Sequence, residues 1–134
     1  MRTTLKQEVM IERLRSGYAA YSRHDFDALL ELWHPDVTLV RAGGQGEIIG
    51  AQSVRAWMEP DAFAAQVLEP VAFEVESNRV LVHAQGCVRG ATSGITMEIE
   101  VWSVWTFDDR AQVTRVENFL AHEESEARRT LVTR

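Results

Sequence analysis

The chemistry open to this chain rests on a few side chains: Glu117, Arg41, Ser103 and Tyr18. Glu117 is the candidate proton carrier. In apolar surroundings beside Trp105 its carboxyl would keep its proton to higher pH and could serve as general acid or base. The alternative is a carboxylate at a sheet edge, paired with Arg115 or Arg41. Arg41 stays charged at neutral pH and cannot be the base. Facing inward, it would favour an anionic or carbonyl-bearing molecule; facing outward, it would meet solvent or pair with Glu47. Ser103 has no neighbour in sequence that would activate it as a nucleophile, which leaves a donor to a ligand or a small packing residue. Tyr18 offers a second polar anchor. His24, His34 and His83 stand apart, and no His, Asp or Glu pair has convincing metal-site spacing. Neither metal nor cofactor is expected.

One stretch must position these groups. Residues 95–107, ITMEIEVWSVWTF, and their continuation 112–120, QVTRVENFL, read as two strands joined by a polar turn at Asp108-Asp109-Arg110. Alternation puts Met97, Ile99, Val101, Ser103, Trp105 and Phe107 on one face of the first strand and Glu98, Glu100, Trp102, Val104 and Thr106 on the other. The same rule groups Glu117 with Arg115 and Phe119. An apolar face with one hydroxyl in its middle is either plain core or the wall of a pocket.

Earlier in the chain, Thr4 and Gln7 form a capping-box pattern ahead of Met10, Leu14, Tyr18 and Tyr21, which predicts one helix. Asp25 caps a second, shorter helix with Phe26, Leu29, Leu30 and Trp33 as its stripe, and Pro35 ends it. His34, at that end, would satisfy the last carbonyls. A short strand over 37–41, a glycine-rich turn and a little more strand at Ile48-Ile49 follow. Gly50 introduces a third helix through Trp57-Met58, ended by Pro60, and Asp61 could cap one more turn over 63–67. From Pro70 the pattern changes to alternating strands with turns at Ser77-Asn78-Arg79 and over 89–94. Residues 122–129 read as a frayed helix or a polar tail. Helices first and an antiparallel sheet last is the α+β arrangement, with the helices covering one face of the sheet.

The composition narrows the function classes. The 134 residues suffice for one domain with its own core. A net charge of −6 with scattered basic residues makes nucleic acid an improbable partner. No apolar run is long enough to span a bilayer, and the start of the chain lacks the core of a signal peptide. With Cys87 as its single cysteine, the chain is expected to be soluble and cytoplasmic.

The chain resembles a known family. The Asp-Phe-Asp helix running into Trp-His-Pro-Asp (33–36), GEIIGAQSVRAWM (46–58), Ser93-Gly94 at a strand turn and VWSVWTFDD (101–109), in that order, are similar to the SnoaL-like group of the nuclear transport factor 2-like, or ketosteroid-isomerase-like, superfamily. The resemblance runs from about Leu5 to Ala127. It implies an α+β cone: a curved antiparallel sheet wrapped around N-terminal helices. It also implies a hydrophobic pocket between sheet and helices, and a homodimer packed through the outer sheet face, where Trp102 and Val104 would form the seam. The whole of 1–134 would be one domain, with its core over 5–121 and a polar tail over 122–134. In ketosteroid isomerases a Tyr and a protonated Asp hold the enolate oxygen while a second Asp shuttles the proton; Gly17, Ser103 and Arg41 stand at those positions here, with Tyr18 one residue out of register. Of the Asp–Arg–Asp set of the similar limonene epoxide hydrolases, only Glu117 stands near a matching place. The His that polyketide cyclases carry on the late strand is Ser103.

The resulting expectation is a small-molecule pocket protein for a hydrophobic or polyketide-like ligand. Tyr18, Tyr21, Trp33, Trp57, Val101, Ser103, Trp105 and Phe119 would line the pocket, and Glu117 and Arg41 would carry any cofactor-free isomerase, cyclase or hydrolase chemistry. The other expectation is a binding or dimerisation module without catalysis.

Overall fold

A computed structural model describes residues 3–58, 63–90 and 92–133. Helix α1 (Leu5–Ser22) opens on the expected capping box: Gln7 N–H donates to Thr4 Oγ1 at 3.1 Å, and the Gln7 side chain accepts from the Thr4 N–H at 2.9 Å. Its inward stripe is Met10, Leu14, Gly17, Tyr18 and Ala20. Asp25 caps the short α2 (Phe26–Leu30).

Trp33 does not continue that helix. It is the first residue of strand β1 (Trp33–Val40), paired with Val113. The residue before a proline favours extended backbone, and here that preference reaches back across His34 to Trp33. His34 Nδ1 accepts from the Asp36 N–H at 3.0 Å, so it caps no helix carbonyl. A one-turn 3₁₀ segment (Ala42–Gly44) leads into β2 (Glu47–Ile49), and α3 (Ala51–Met58) follows.

Strand β3 (Phe63–Glu76) replaces the helical turn expected over 63–67, while its supposed cap, Asp61, lies outside the described residues. The reason is tertiary. The partner β4 (Arg79–Gly90) is long enough to pair with Gln66, Val67 and Leu68 through Val88, Cys87 and Gly86. Pro70 is tolerated because β3 is an edge strand, with the register shifting between Pro70 and Ala72. Strands β5 (Thr96–Phe107) and β6 (Val113–Leu120) complete a six-stranded sheet in the order β2-β1-β6-β5-β4-β3.

The curved, open sheet with helices inside it is the expected α+β architecture. It contains one parallel pair, β1 with β6, because the first strand docks beside the last; the other neighbours are antiparallel. On its inner face Val80, Val82, Trp105, Phe107 and Val116 pack with Met10, Leu14, Leu29 and Leu32.

Residues 124–132 form a docked helix rather than a frayed end or tail. Helix α4 (Glu124–Val132) buries Ala127 and Leu131 against Leu81, Trp102 and Val104 on the outer face. Trp102 Nε1 donates to the Ala121 carbonyl at 3.3 Å, and Arg79 Nη1 donates to the Thr130 carbonyl at 2.8 Å. The Arg128 guanidinium lies 5.6 Å from the Trp102 ring centre. Trp102 and Val104, expected in a dimer seam, are thus covered by the chain's own helix. Among the described residues no helix is long and apolar enough to cross a membrane. Replacing Leu131 by Ala should cost about 2 kcal/mol in urea unfolding, the lower end for a buried leucine near a surface; a loss under about 0.5 kcal/mol would mean that α4 does not hold this face.

Candidate functional site

A cavity of about 410 Å³ lies between the inner face of the sheet and the helices. Sheet curvature creates it. Strands β5, β6 and β1 supply one wall and α1 the other, while the turn over 41–46 and the end of α3 border it.

On the wall, Ser103 is 2% exposed and its hydroxyl donates to Asn118 Oδ1 at 2.7 Å. Asn118 Nδ2 in turn donates to the Val40 carbonyl at 3.0 Å, tying β6 to β1. These bonds follow from register, since Ser103 faces Asn118 across the β5–β6 pair. Trp105 Nε1 donates to the Tyr18 hydroxyl at 3.2 Å, joining β5 to α1. Rings of Tyr18 and Trp33 meet Trp105 edge-on, with centroid distances of 5.8 and 6.0 Å. Burial pushes the Tyr18 phenol well above its ordinary value, against a smaller opposing effect of hydrogen bonds from Trp105 and Ser103. Burial likewise pushes Tyr21 up to about 12.

Arg41 follows β1 and reaches the cavity. It does not pair with Glu47, whose carboxylate meets Arg115 at 3.4 Å. Instead Arg41 Nη2 donates to the Gln45 carbonyl within its own turn.

Of the residues expected in the pocket, Tyr18, Tyr21, Trp33, Arg41, Trp57, Val101, Ser103 and Trp105 all line the cavity. Glu117 and Phe119 do not. Glu117 sits opposite Val104 and Val40, on the outer face, with its carboxylate 3.4 Å from Arg115 Nη2. It lies away from Trp105 and cannot deliver a proton into the cavity. Phe119 pairs with Trp102 and packs against the cluster under α4. The cause is parity: Asn118 opposite Ser103 points inward, so both its neighbours point out. Sequence reasoning missed Asn118 as a wall residue, although the two charges of Arg115 and Glu117 on one face of β6 were a signal that this face is the wet one.

Among the described residues the lining consists of apolar walls, neutral amide and hydroxyl groups and one cation, and includes no carboxylate, His, Cys or Lys. Such a set can bind and orient an oxygenated ring system and polarise a carbonyl, but it offers no group poised to exchange a proton at neutral pH. Among the described residues no three His, Cys, Asp or Glu side chains gather closely enough to hold a metal ion.

A family model described as a SnoaL-like domain matches residues 14–116, most of the chain. The chain belongs to the SnoaL-like family. Solved structures similar to this SnoaL-like protein include TerC, co-crystallised with polyporic acid, which is 24% identical with a TM-score of 0.72 over 87% of this chain and 95% of TerC. An NTF2-like protein of unknown function from Burkholderia pseudomallei is 22% identical, with a TM-score of 0.74 over 93% of this chain and 98% of its own. The epoxide hydrolase/cyclase-like enzyme SalBIII, of pyran ring formation in the polyether salinomycin, is 16% identical, with a TM-score of 0.78 over 87% and 95%. At these identities the likeness is one of fold. No curated protein matches the sequence.

The tyrosines give a test. Tyr18 and Tyr21 are the chain's two tyrosines. Both have folded values above the unfolded value of about 10, so their contribution to stability is complete below that pH and is lost as pH rises through the folded values. Ultraviolet titration of the folded protein should show no tyrosinate until the pH approaches about 12; half-ionisation near pH 10 would mean that the rings are wet.

Proposed function

We propose that this SnoaL-like protein binds a small hydrophobic, polyketide-like molecule in the cavity between sheet and helices, acting through binding rather than proton transfer. The observation that carries the reading is the lining itself: among its described residues, Trp33, Trp57 and Trp105 and an aliphatic wall surround a few hydrogen-bonding groups that include no carboxylate, His, Cys or Lys. Most small-molecule sites have this make-up. The crystallisation of TerC with polyporic acid lends support from a protein of the same fold.

A second reading, a cofactor-free cyclase, isomerase or hydrolase, draws support from the neutral Tyr18 hydroxyl. Already accepting from Trp105, it has its own proton left to donate to a substrate carbonyl. Arg41 would orient the substrate. A cytoplasmic setting fits the lone, exposed Cys87. Self-association is a further proposal: with Trp102 and Val104 beneath α4, a second copy would meet the outer face over its remaining part, around Val67, Gln85 and Cys87.

Saturable quenching of tryptophan fluorescence by naphthamide, an uncharged aromatic probe, should report one site per chain, and Val101→Trp should abolish it while leaving the circular dichroism unchanged. Quenching that never saturates, or that survives in the filled variant, would count against the binding reading. For self-association the expected result is a dimer in size-exclusion with light scattering at micromolar concentration; a monomer there would overturn it.

A further inference from the structure

Among the described residues Arg41 is the one charged side chain in the lining of the cavity. Its turn holds it in place from several sides. The Arg41 N–H donates to the Gly46 carbonyl at 2.9 Å, Nη2 donates to the Gln45 carbonyl, and a Cβ on Gly46 would lie 3.3 Å from Nη2. The bare backbone at Gly46, at φ 99°, leaves the space that the guanidinium takes.

No carboxylate among the described residues neutralises this cation. The two nearest in sequence logic are both committed to Arg115: Glu47 at 3.4 Å and, from the outer face, Glu117 at 3.4 Å. Arg41 Nε is buried and has no hydrogen-bond partner. Deeper in the same lining, Trp33 is 4% exposed and its Nε1 also lacks a partner. Both orphaned atoms are donors. Asn118 Oδ1, an acceptor on the same wall, is already taken by Ser103. Buried donors without acceptors are costly, the more so on a cation, so the lining is incomplete in one chemical sense: these two donors have no acceptor, and its described residues carry no negative charge.

We propose that the cavity selects an organic monoanion, a carboxylate on an apolar ring body, with the carboxylate against Arg41 and the rings among Trp33, Trp57 and Trp105. This rests on the small-molecule reading above and names the ligand class for the same site. Arg41 is the specificity residue, since a guanidinium meets a carboxylate through two parallel N–H donors, a geometry that a neutral amide cannot match.

The test compares naphthoate with its neutral isostere naphthamide by tryptophan quenching in the wild-type chain, Arg41→Gln and Arg41→Lys. The wild type should bind naphthoate at least about ten-fold more tightly than naphthamide, a margin typical of one charge-assisted pair. Arg41→Gln should remove the preference, and Arg41→Lys should keep part of it. Equal binding of the two probes by the wild type, or a preference that persists in Arg41→Gln, overturns the assignment and leaves the small-molecule reading standing. If neither probe binds the wild type, the small-molecule reading falls and this assignment falls with it.

Discussion

The structure depends on the double-sided character of β5. From Trp102 to Trp105 every residue is buried, so successive side chains on opposite faces of one strand all need cover. A sheet with one wet face cannot provide that. The inner face, with Ser103, Trp105 and Phe107, is covered by α1 and its neighbours, and the outer face, with Trp102 and Val104, by α4. Where the inner cover stops short of the wall, a cavity is left. Toward its other end the same strand exposes Glu98 and Glu100 on the outer face, beyond the helix.

The ties that hold the cavity wall are polar but neutral. Ser103 to Asn118, Asn118 to Val40 and Trp105 to Tyr18 join β5, β6, β1 and α1 without a single ionised group. Each satisfies an atom that would otherwise be buried unpaired, and so they fix the shape of the cavity as well as its polarity. Ionised groups are kept outside: Arg115 gathers Glu47 and Glu117 on the far side of the sheet. Among the described residues of the lining Arg41 is the exception.

Local signals were legible where local physics decides. The capping box at Thr4, the cap at Asp25, the faces of β5 and the turn at Ser77-Asn78 each depend on a few adjacent residues, and each was readable. The segment over 63–67 was not, because its short-range pattern suits a helical turn and only the length of β4 draws it into the sheet. Residues 124–132 look polar, yet Ala127 and Leu131 are enough to dock a helix once Trp102 and Val104 offer a surface. Polar composition misleads when the apolar anchors are few and well spaced.

The amino-acid sequence by itself determined the α+β class, because hydrophobic alternation and capping are written in neighbouring positions, and its ordered motifs carried the family and the aromatic part of the cavity lining. It left the inward face of β6 unassigned. That choice belongs to the register between β5 and β6, which sets Asn118 against Ser103 and thereby turns Glu117 outward. A one-residue difference in pairing exchanges every side chain between pocket and solvent. Only the tertiary structure therefore decided that the described lining presents Arg41 and neutral donors and leaves Glu117 outside it.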